Sequence, residues 1–301
     1  MLLKSLDQAI GATPLLEASR LCAHLGLEAR LLLKLEMFNP GGSIKDRAAA
    51  AMLDAANLQP GATIIEPTSG NTGVGLAWLA ALRGYKAIFT MPDNMSAERR
   101  KILSALGAEV VLTPASEKMA GAIARAHELA ASIPGSYMPM QFENPANPAA
   151  HEATTAREIL ADTDGKVDIL VAGAGTGGTV SGTARGLKRH NPNLLAVAVE
   201  PAGSPVISGG KAGPHGLQGI GAGFIPANLD LSVIDRVMTV TDADAFNAMA
   251  LLAHTEGVFA GISSGAALAA AIALAREPES RSRTIVAILP DTGERYLSSL
   301  P

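Results

Sequence analysis

The sequence predicts an α/β protein made of two three-layer α/β domains, each with a mostly parallel, twisted sheet between layers of helices. Short apolar segments rich in β-branched residues alternate with alanine-rich helical patterns, which is the order expected of βαβ units. Several apolar segments show no polar alternation, as happens when helices cover both faces of a sheet. With 301 residues, 48% of them hydrophobic and 17% charged, the chain can bury the cores of two domains.

Seven segments are predicted to be strands, and helical patterns lie between them. The strands are ARLLLKLE (29–36), ATIIEP (62–67), KAIFTMP (86–92), AEVVLTP (108–114), DILVAGAG (168–175), LLAVAVEP (194–201) and TIVAILP (284–290). Helices are predicted at 18–27, 46–56, 70–84, 96–107, 117–131, 178–190, 242–257 and 265–277. The segment QFENPANPAAHE (141–152), which is rich in proline and asparagine, separates the two series and is the predicted domain boundary. A ligand is expected in the cleft between the domains, where strands end in glycine turns.

Charge and cysteine content exclude several classes of function. The formal net charge of −4 gives no basic surface for nucleic acid or an anionic membrane, so a small molecule is the expected partner. Cys22 is the only cysteine and the six histidines show no metal-ligand spacing, so neither a disulfide nor a metal site is expected. Asp7 interrupts the apolar run of a signal peptide, and no segment reaches the ~18 apolar residues of a membrane span. The expected location is the cytoplasm.

The first glycine turn, EPTSGNTGVG (66–75), predicts a carboxylate site. Thr68, Ser69, Asn71 and Thr72 surround Gly70 with four polar side chains. The helix that follows adds free N–H groups and the positive end of its dipole. The alternative is an ordinary helix cap, but a cap needs only one such residue.

The second glycine turn, AGAGTGGTVSG (172–182), predicts an anion site and raises a competing hypothesis. It fits G-x-G-x-x-G between a strand and a helix, and Glu200 ends the next predicted strand, as in dinucleotide-binding proteins. A nicotinamide-dependent oxidoreductase is therefore one candidate. Thr176 and Thr179 add hydroxyl donors, which suit a terminal phosphate on a helix N-terminus better than a bridging pyrophosphate.

The third turn, FAGISSGAALAA (259–270), and the segment NPGGSIKDRA (39–48) complete the pattern. Ser263 and Ser264 either cap a helix or contact the polar edge of a cofactor. Lys45 lies at the start of a predicted helix, and a buried lysine loses proton affinity and can form a Schiff base. A lysine, a monophosphate turn and a carboxylate turn together indicate pyridoxal 5′-phosphate as the cofactor.

Six segments taken together resemble one enzyme family. NPGGSIKDR, EPTSGNTG, GAGTGGTVSG, GPHGLQGIGAGFIPANLD, GISSGAA and GERYLS are similar to the corresponding motifs of the cysteine synthases (O-acetylserine sulfhydrylases), which are fold-type II (tryptophan synthase β-like) pyridoxal phosphate enzymes. The resemblance extends from IGATPLL (10–16) to GERYLS (293–298). It implies a smaller, mobile domain at 36–145 and a larger domain at 1–35 plus 146–301, with the cofactor in the cleft between them.

The resemblance also implies roles for individual residues. Lys45 would form the Schiff base with the cofactor and then act as the base at Cα. The cofactor ring would meet Asn71 at its 3′-oxygen and Ser263 at its nitrogen. The phosphate would be bound by Gly175, Thr176, Gly177, Gly178 and Thr179. The substrate carboxylate would be bound by Thr68, Ser69, Gly70, Asn71 and Thr72, with Gln141 assisting.

The implied reaction converts O-acetyl-L-serine and sulfide to L-cysteine and acetate, by β-elimination to an α-aminoacrylate and β-addition. The implied partners are a second copy of the chain in a homodimer and serine acetyltransferase. GGSIKDR and MPDNMSAERR resemble the B-type enzymes, which also accept thiosulfate, whereas GPHGLQGIGAGFIPANLDLS resembles the A-type enzymes. The nucleophile and the partnership with serine acetyltransferase are therefore open.

Other activities are alternatives at this stage. Within the superfamily they are an S-sulfocysteine synthase that uses thiosulfate, an enzyme like cystathionine β-synthase, and a serine/threonine dehydratase. A cofactor-free binding module is the alternative outside enzymes. Two further residues have open roles: Asp291 could face the cofactor ring, and His215 lies in the GPHGLQGIGAG loop.

Overall fold

Two sheets form the frame of the computed structural model, which describes residues 2–68 and 70–299. The larger sheet has six strands in the order β1-β2-β9-β6-β7-β8, and the smaller sheet has three in the order β3-β4-β5. The strands are β1 (Leu15–Glu17), β2 (Arg30–Leu35), β3 (Thr63–Pro67), β4 (Lys86–Pro92), β5 (Glu109–Thr113), β6 (Ile169–Gly173), β7 (Leu195–Pro201), β8 (Arg236–Val240) and β9 (Thr284–Leu289). β1 pairs antiparallel with β2, and the other described pairs are parallel.

Helices connect the parallel strands and cover the sheets. They are α1 (Ser19–Leu25), α2 (Lys45–Ala56), α3 (Asn71–Arg83), α4 (Ala97–Ala105), α5 (Lys118–Ser132), α6 (Ala146–Ala153), α7 (Thr155–Asp162), α8 (Gly178–His190), α9 (Asp242–Glu256) and α10 (Ile262–Ala275). A 3₁₀ segment, Gly293–Ser299, follows β9. The predicted α/β fold class with mostly parallel sheets is confirmed, whereas the domain limits at 36–145 and in the remainder stay a prediction. Among the described helices, none is long and apolar enough to cross a membrane.

Both faces of the larger sheet are buried. In β2, Leu31, Leu33 and Leu35 pack into one hydrophobic cluster, and Leu32 packs into the cluster on the other face. β9 divides in the same way, with Ala287 on the first face and Val286 on the second. Successive side chains of a strand point to opposite faces, so a strand buried on both sides is apolar throughout.

The structure adds elements that the sequence pattern does not indicate. Neither β1 nor β8 is predicted, because β1 has three residues and β8 is an edge strand whose first residue, Arg236, is exposed. The segment predicted as the domain boundary, 141–152, contains most of α6. Pro145 precedes this helix and Pro148 lies in its first turn, where backbone N–H groups have no intrahelical partner.

Candidate active site

A cavity of about 280 Å³ lies between the two sheets, at the carboxyl ends of β3, β6 and β9. It is lined by most residues of the predicted site: Lys45, Thr68, Gly70, Asn71, Thr72, Gln141, Gly175, Thr176, Gly177, Thr179 and Ser263. Gly178 begins α8 between two of these residues, and Ser69 lies outside the described part of the chain. The fold thus brings together residues that are distant in sequence, and their individual roles stay predictions.

Lys45 is the first residue of α2, and a hydrogen bond of the preceding residue, Ile44, holds the backbone at this point. The backbone N–H of Ile44 donates to the carbonyl of Pro290, 2.8 Å away, just after β9. Burial lowers the pKa of Lys45, and the nearby Asp291 opposes this shift. A lysine with a lowered pKa is more readily the neutral amine that can attack a carbonyl carbon or accept a proton.

The turn before Lys45 is braced by Asp46. Its carboxylate accepts the N–H of Gly41 at 2.5 Å and the indole N–H of Trp78 at 3.1 Å. A Cβ on Gly41 would lie 2.4 Å from the Asp46 carboxylate, so only glycine fits there. Burial raises the pKa of Asp46 to about 6, although these two hydrogen bonds and Arg295 oppose the shift. Asp46 therefore shapes the turn from behind.

The turn between β6 and α8 is closely packed and suits an anion. Gly177 has φ +81°, and a Cβ there would lie 2.7 Å from the backbone of Leu229. A Cβ on Gly175 would lie 2.4 Å from the carbonyl oxygen of Gly219. The glycines let the backbone pack here while the N–H groups at the start of α8 open toward the cavity. The donor set therefore fits a phosphate.

The two threonines of this turn have partners behind the cavity wall. Thr176 Oγ1 accepts a hydrogen bond from Asn147 Nδ2 at 3.0 Å, so its own hydroxyl hydrogen is left to face an anion. Thr179 Oγ1 lies 3.3 Å from Nε2 of His151. His151 is buried, and burial together with the charges of Arg47 and Lys45 lowers its pKa well below the usual value. Neither Asn147 nor His151 is predicted from the sequence.

Glu200 does not act as the acidic residue of a dinucleotide site. One carboxylate oxygen accepts the N–H of Ile207 at 2.8 Å, and the other accepts the N–H and hydroxyl of Ser208 at 2.9 and 2.6 Å. Glu200 is buried. Because both oxygens of Glu200 bind the protein backbone, this carboxylate is not available to a ribose hydroxyl. The hypothesis of a nicotinamide-dependent oxidoreductase therefore lacks its acidic residue.

The turn between β3 and α3 is connected to both halves of the molecule. The Thr72 hydroxyl donates to Gln141 Oε1 at 2.5 Å. Asn71 Nδ2 donates to Asp291 Oδ2 at 2.6 Å, and Asn71 Oδ1 accepts a hydrogen bond from Arg295. Asn71, predicted to contact the cofactor ring, is therefore also held by the C-terminal segment.

Asp291 lies behind the cavity wall and not among the lining residues. Its Oδ2 accepts from Tyr296 as well as from Asn71, and its Oδ1 has no hydrogen-bond partner among the described residues. Burial raises the pKa of Asp291, while the hydrogen bonds from Tyr296 and Asn71 oppose the shift. The expectation that Asp291 faces a bound ring is thus replaced by a role behind Asn71 and beside Lys45.

Ser263 lines the cavity, whereas His215 lies outside the lining. Ser263 lines the cavity near the start of α10, and a Cβ on Gly219 would lie 3.4 Å from its Oγ. His215 is not among the lining residues, and its Nε2 lies 3.2 Å from the carbonyl oxygen of Gly221. The described His, Cys, Asp and Glu residues form no group of three that could hold a metal ion.

The cavity is cationic in its described lining. Arg99 contributes positive charge, Lys45 adds a second basic group, and no aspartate or glutamate is among the described lining residues. Arg99 also donates to Gln218 at 2.5 Å and lies over the Tyr296 ring, 5.9 Å from its centroid. Arg99 and Tyr296 are not predicted as site residues, although Tyr296 belongs to the GERYLS motif. A cavity of this charge suits an anionic cofactor and an anionic substrate.

Comparison with known proteins identifies the class of enzyme. Residues 6–291 match the family of pyridoxal-phosphate dependent enzymes. A cysteine synthase from Staphylococcus aureus is 51% identical over 300 residues, which cover 98% of this chain and 96% of that protein. The chain belongs to the pyridoxal-phosphate dependent enzymes and, among them, to the cysteine synthase (O-acetylserine sulfhydrylase) family. The resemblance and the cofactor predicted from the motifs are confirmed.

Solved structures agree with this placement. The crystal structure of a cysteine synthase from Entamoeba histolytica has a TM-score of 0.96 and 42% identity, covering 99% of this chain and 90% of that one. A hydrogen sulfide-producing enzyme from Fusobacterium nucleatum has a TM-score of 0.92 and 41% identity, covering 98% of this chain and 100% of that one. An O-ureido-L-serine synthase has a TM-score of 0.93 and 41% identity, covering 99% of this chain and 95% of that one.

Proposed function

We propose that this chain is a pyridoxal phosphate-dependent cysteine synthase, which converts O-acetyl-L-serine and sulfide to L-cysteine and acetate. The observation that carries the proposal is the shared cavity, where Lys45 meets a phosphate-type turn and a carboxylate-type turn. The described lining has no carboxylate that would repel either anion. Family membership over nearly the whole chain supports the same conclusion.

Each part of the cavity has a proposed task. The bound cofactor supplies an electron sink for the bond changes at Cα and Cβ of the amino acid. The Gly175–Thr179 turn binds its phosphate, and Ser263 meets the ring nitrogen with a neutral hydroxyl. Thr68, the 69–72 segment and Gln141 bind the substrate carboxylate, so that the acetyl ester is directed to the opposite side.

Lys45 handles the proton at Cα. Burial lowers its pKa, which favours the neutral amine as a base. In the first half of the reaction it takes the Cα proton while acetate leaves from Cβ. In the second half the nucleophile adds at Cβ and Lys45 returns the proton. Positioned proton transfer of this kind contributes about 10²–10⁴-fold to a rate.

The nucleophile is the part of the proposal for which there are two candidates. Relatives of the same fold carry names that refer to hydrogen sulfide production and O-ureido-L-serine synthesis, so the fold is compatible with more than one chemistry at Cβ. Sulfide is the proposed nucleophile and thiosulfate is the second candidate. Turnover with each nucleophile at equal concentration decides between them.

Assembly and location extend the proposal. We place the mobile domain at 36–145, because α4 and the turn after β3 come from the smaller sheet and face the cavity from one side. A homodimer, binding of serine acetyltransferase and a cytoplasmic location follow from the family resemblance and are proposals of the same kind. Sedimentation of the purified protein, alone and with the acetyltransferase, tests the first two.

Absorbance tests the function directly. The purified protein should be yellow, and O-acetylserine should shift the visible band while cysteine accumulates. Lys45→Ala should lose the band and at least about 10²-fold in rate, whereas Lys86→Ala, at an exposed lysine, should retain both. A colourless wild-type protein, or a yellow one that ignores O-acetylserine, contradicts the proposal.

A further inference from the structure

Glu66 is a buried carboxylate in β3 that lies next to the cavity without lining it. Its two oxygens accept the backbone N–H groups of Met140 at 2.9 Å and Gln141 at 3.1 Å. These are consecutive residues on a segment 74 and 75 positions away in sequence. One side chain therefore fixes the backbone of the turn that carries Gln141.

The turn that Glu66 holds is in an unfavourable backbone conformation. Met140 has φ +53°, in the left-handed region that non-glycine residues avoid. Such a conformation costs on the order of 1 kcal/mol or more and persists only where the surroundings enforce it. A side chain that accepts both N–H groups provides that enforcement, since it fixes two consecutive peptide groups and leaves neither buried N–H without a partner.

Both oxygen atoms of Gln141 also accept hydrogen bonds, whereas its side-chain NH₂ remains to be assigned a partner. Its carbonyl oxygen accepts Nδ2 of Asn147 and Nδ2 of Asn228, each at 2.9 Å. Its side-chain oxygen accepts the hydroxyl of Thr72 at 2.5 Å. Gln141 lines the cavity, so with Oε1 bound to Thr72 its side-chain NH₂ is the donor that it can offer there, and a donor is what a substrate carboxylate requires.

From these contacts we infer that Glu66 is a positioning residue, which sets Gln141 to bind the substrate carboxylate. The inference rests on the proposed function, since it concerns the amino-acid end of the same site. Glu66 touches neither the cavity nor the reacting atoms, so it acts only through the backbone of the turn. Its loss should weaken binding of the amino acid more than it slows the chemistry.

The chain contains a matched control for this geometry. Glu200, at the end of β7, is equally buried and accepts two consecutive backbone N–H groups, those of Ile207 and Ser208. Neither of those residues is among the cavity lining. Glu66→Gln and Glu200→Gln make the same substitution in the same kind of buried clamp, and only the first acts on Gln141.

The test compares the two variants as holoenzymes. For Glu66→Gln we expect the KM for O-acetylserine to rise about tenfold, the equivalent of one lost hydrogen bond, with kcat within about twofold of wild type and the cofactor retained. Glu200→Gln should leave KM unchanged. An unchanged KM in Glu66→Gln, an equal rise in both variants, or a loss confined to kcat would overturn the inference.

Two further measurements keep the result specific. In a Gln141→Ala background, Glu66→Gln should add no further rise in KM, and an additive rise would show that Glu66 acts elsewhere. The second measurement follows the cofactor absorbance during titration with L-serine and with L-serinamide, which lacks the carboxylate. Compared with wild type, Glu66→Gln should bind L-serine more weakly and L-serinamide equally well. Should wild type bind L-serine without turning over O-acetylserine, the proposed function fails while this titration still decides the role of Glu66. If L-serine does not bind either, both fail.

Discussion

Trp78 is the only tryptophan in the chain, and it reports on the residue next to Lys45. Its indole N–H donates to Asp46, whose pKa burial raises to about 6. Below that pH Asp46 gains a proton and its hydrogen bonds to Trp78 and Gly41 weaken. We expect the fluorescence of Trp78 to titrate with an apparent pKa of about 6, measured on the folded protein.

Asp46→Asn is the control for that titration. The amide keeps the size of the side chain and removes the ionisable group, so the step near pH 6 should disappear. A step that persists in Asp46→Asn would assign the signal to another group and contradict the prediction.

Apart from Gln141, the site residues that the sequence predicts share one property: they lie inside short glycine-containing motifs. Lys45, Gly177 and Ser263 each sit where a strand or turn enters a helix, and the residue types disclose the chemistry. Glu66 and Arg295 contribute through hydrogen bonds to segments far away in sequence, and no local pattern records such a partner. These contacts become visible only when the fold is known.

At the scale of elements, a buried charge network fixes α2 against its neighbours. Arg47 in α2 bonds Glu36 at 2.7 Å and Glu158 in α7 at 2.6 Å, and the fully buried Lys34 in β2 lies 2.9 Å from Glu158. Arg47→Met would leave Glu36 buried without its cation. We expect the free energy of unfolding to fall by about 3–5 kcal/mol, measured by urea denaturation.

The comparison for that prediction is Arg185→Met. Arg185 pairs with Glu152 and Asp230 at 3.2 and 3.0 Å, but its side chain is 34% exposed. An ion pair of this exposure contributes about 0–1 kcal/mol. If the two variants lose stability equally, the buried network has no special role.

Glu158 makes the same network sensitive to acid. Burial alone would raise its pKa, but the hydrogen bonds and charge of Arg47 and the bond from Lys34 outweigh burial and lower the pKa to about 2. A carboxylate with a lowered folded-state pKa stabilises the protein above its ordinary value of 4.5, and that stabilisation is lost as the pH falls toward 2. We expect Glu158→Gln to be less stable than wild type at neutral pH and to lose less stability between pH 4.5 and 2 in denaturation titrations.

The elements that the sequence predicts are those with a strong internal pattern. β2 and β9 are predicted because burial on both faces makes them largely apolar, with the buried Lys34 of β2 as the exception. α6 is not, because its prolines and asparagines suggest a loop, and it is Asn147 within this helix that bonds both Gln141 and Thr176. The sequence therefore predicts a loop where residues that serve the site form a helix.

At the scale of the whole molecule, a contact crosses the cavity between the two sheets. Arg99 in α4, which packs beside the smaller sheet, donates to Gln218, which lies between β7 and β8 of the larger one. Gln218→Ala removes this contact. If the smaller half moves as we propose, the variant should open more easily, so we expect a higher KM for O-acetylserine with kcat unchanged or increased in steady-state kinetics.

Gln8→Ala is the control at an exposed glutamine and should not change either constant. A KM for Gln218→Ala equal to that of wild type would show that the contact between Arg99 and Gln218 does not limit opening.

Lys45 occupies a special place with respect to such a motion. α2 packs beside α3 of the smaller half, yet the two residues before it are bonded just after β9 in the larger half. Ile44 bonds to Pro290, and Ser43 forms a β-bridge with Asp291. If the smaller half moves as we propose, these bonds would hold the amine of Lys45 near the larger half while the 68–72 turn swings inward. The same amine would then remove a proton and return it at any degree of closure.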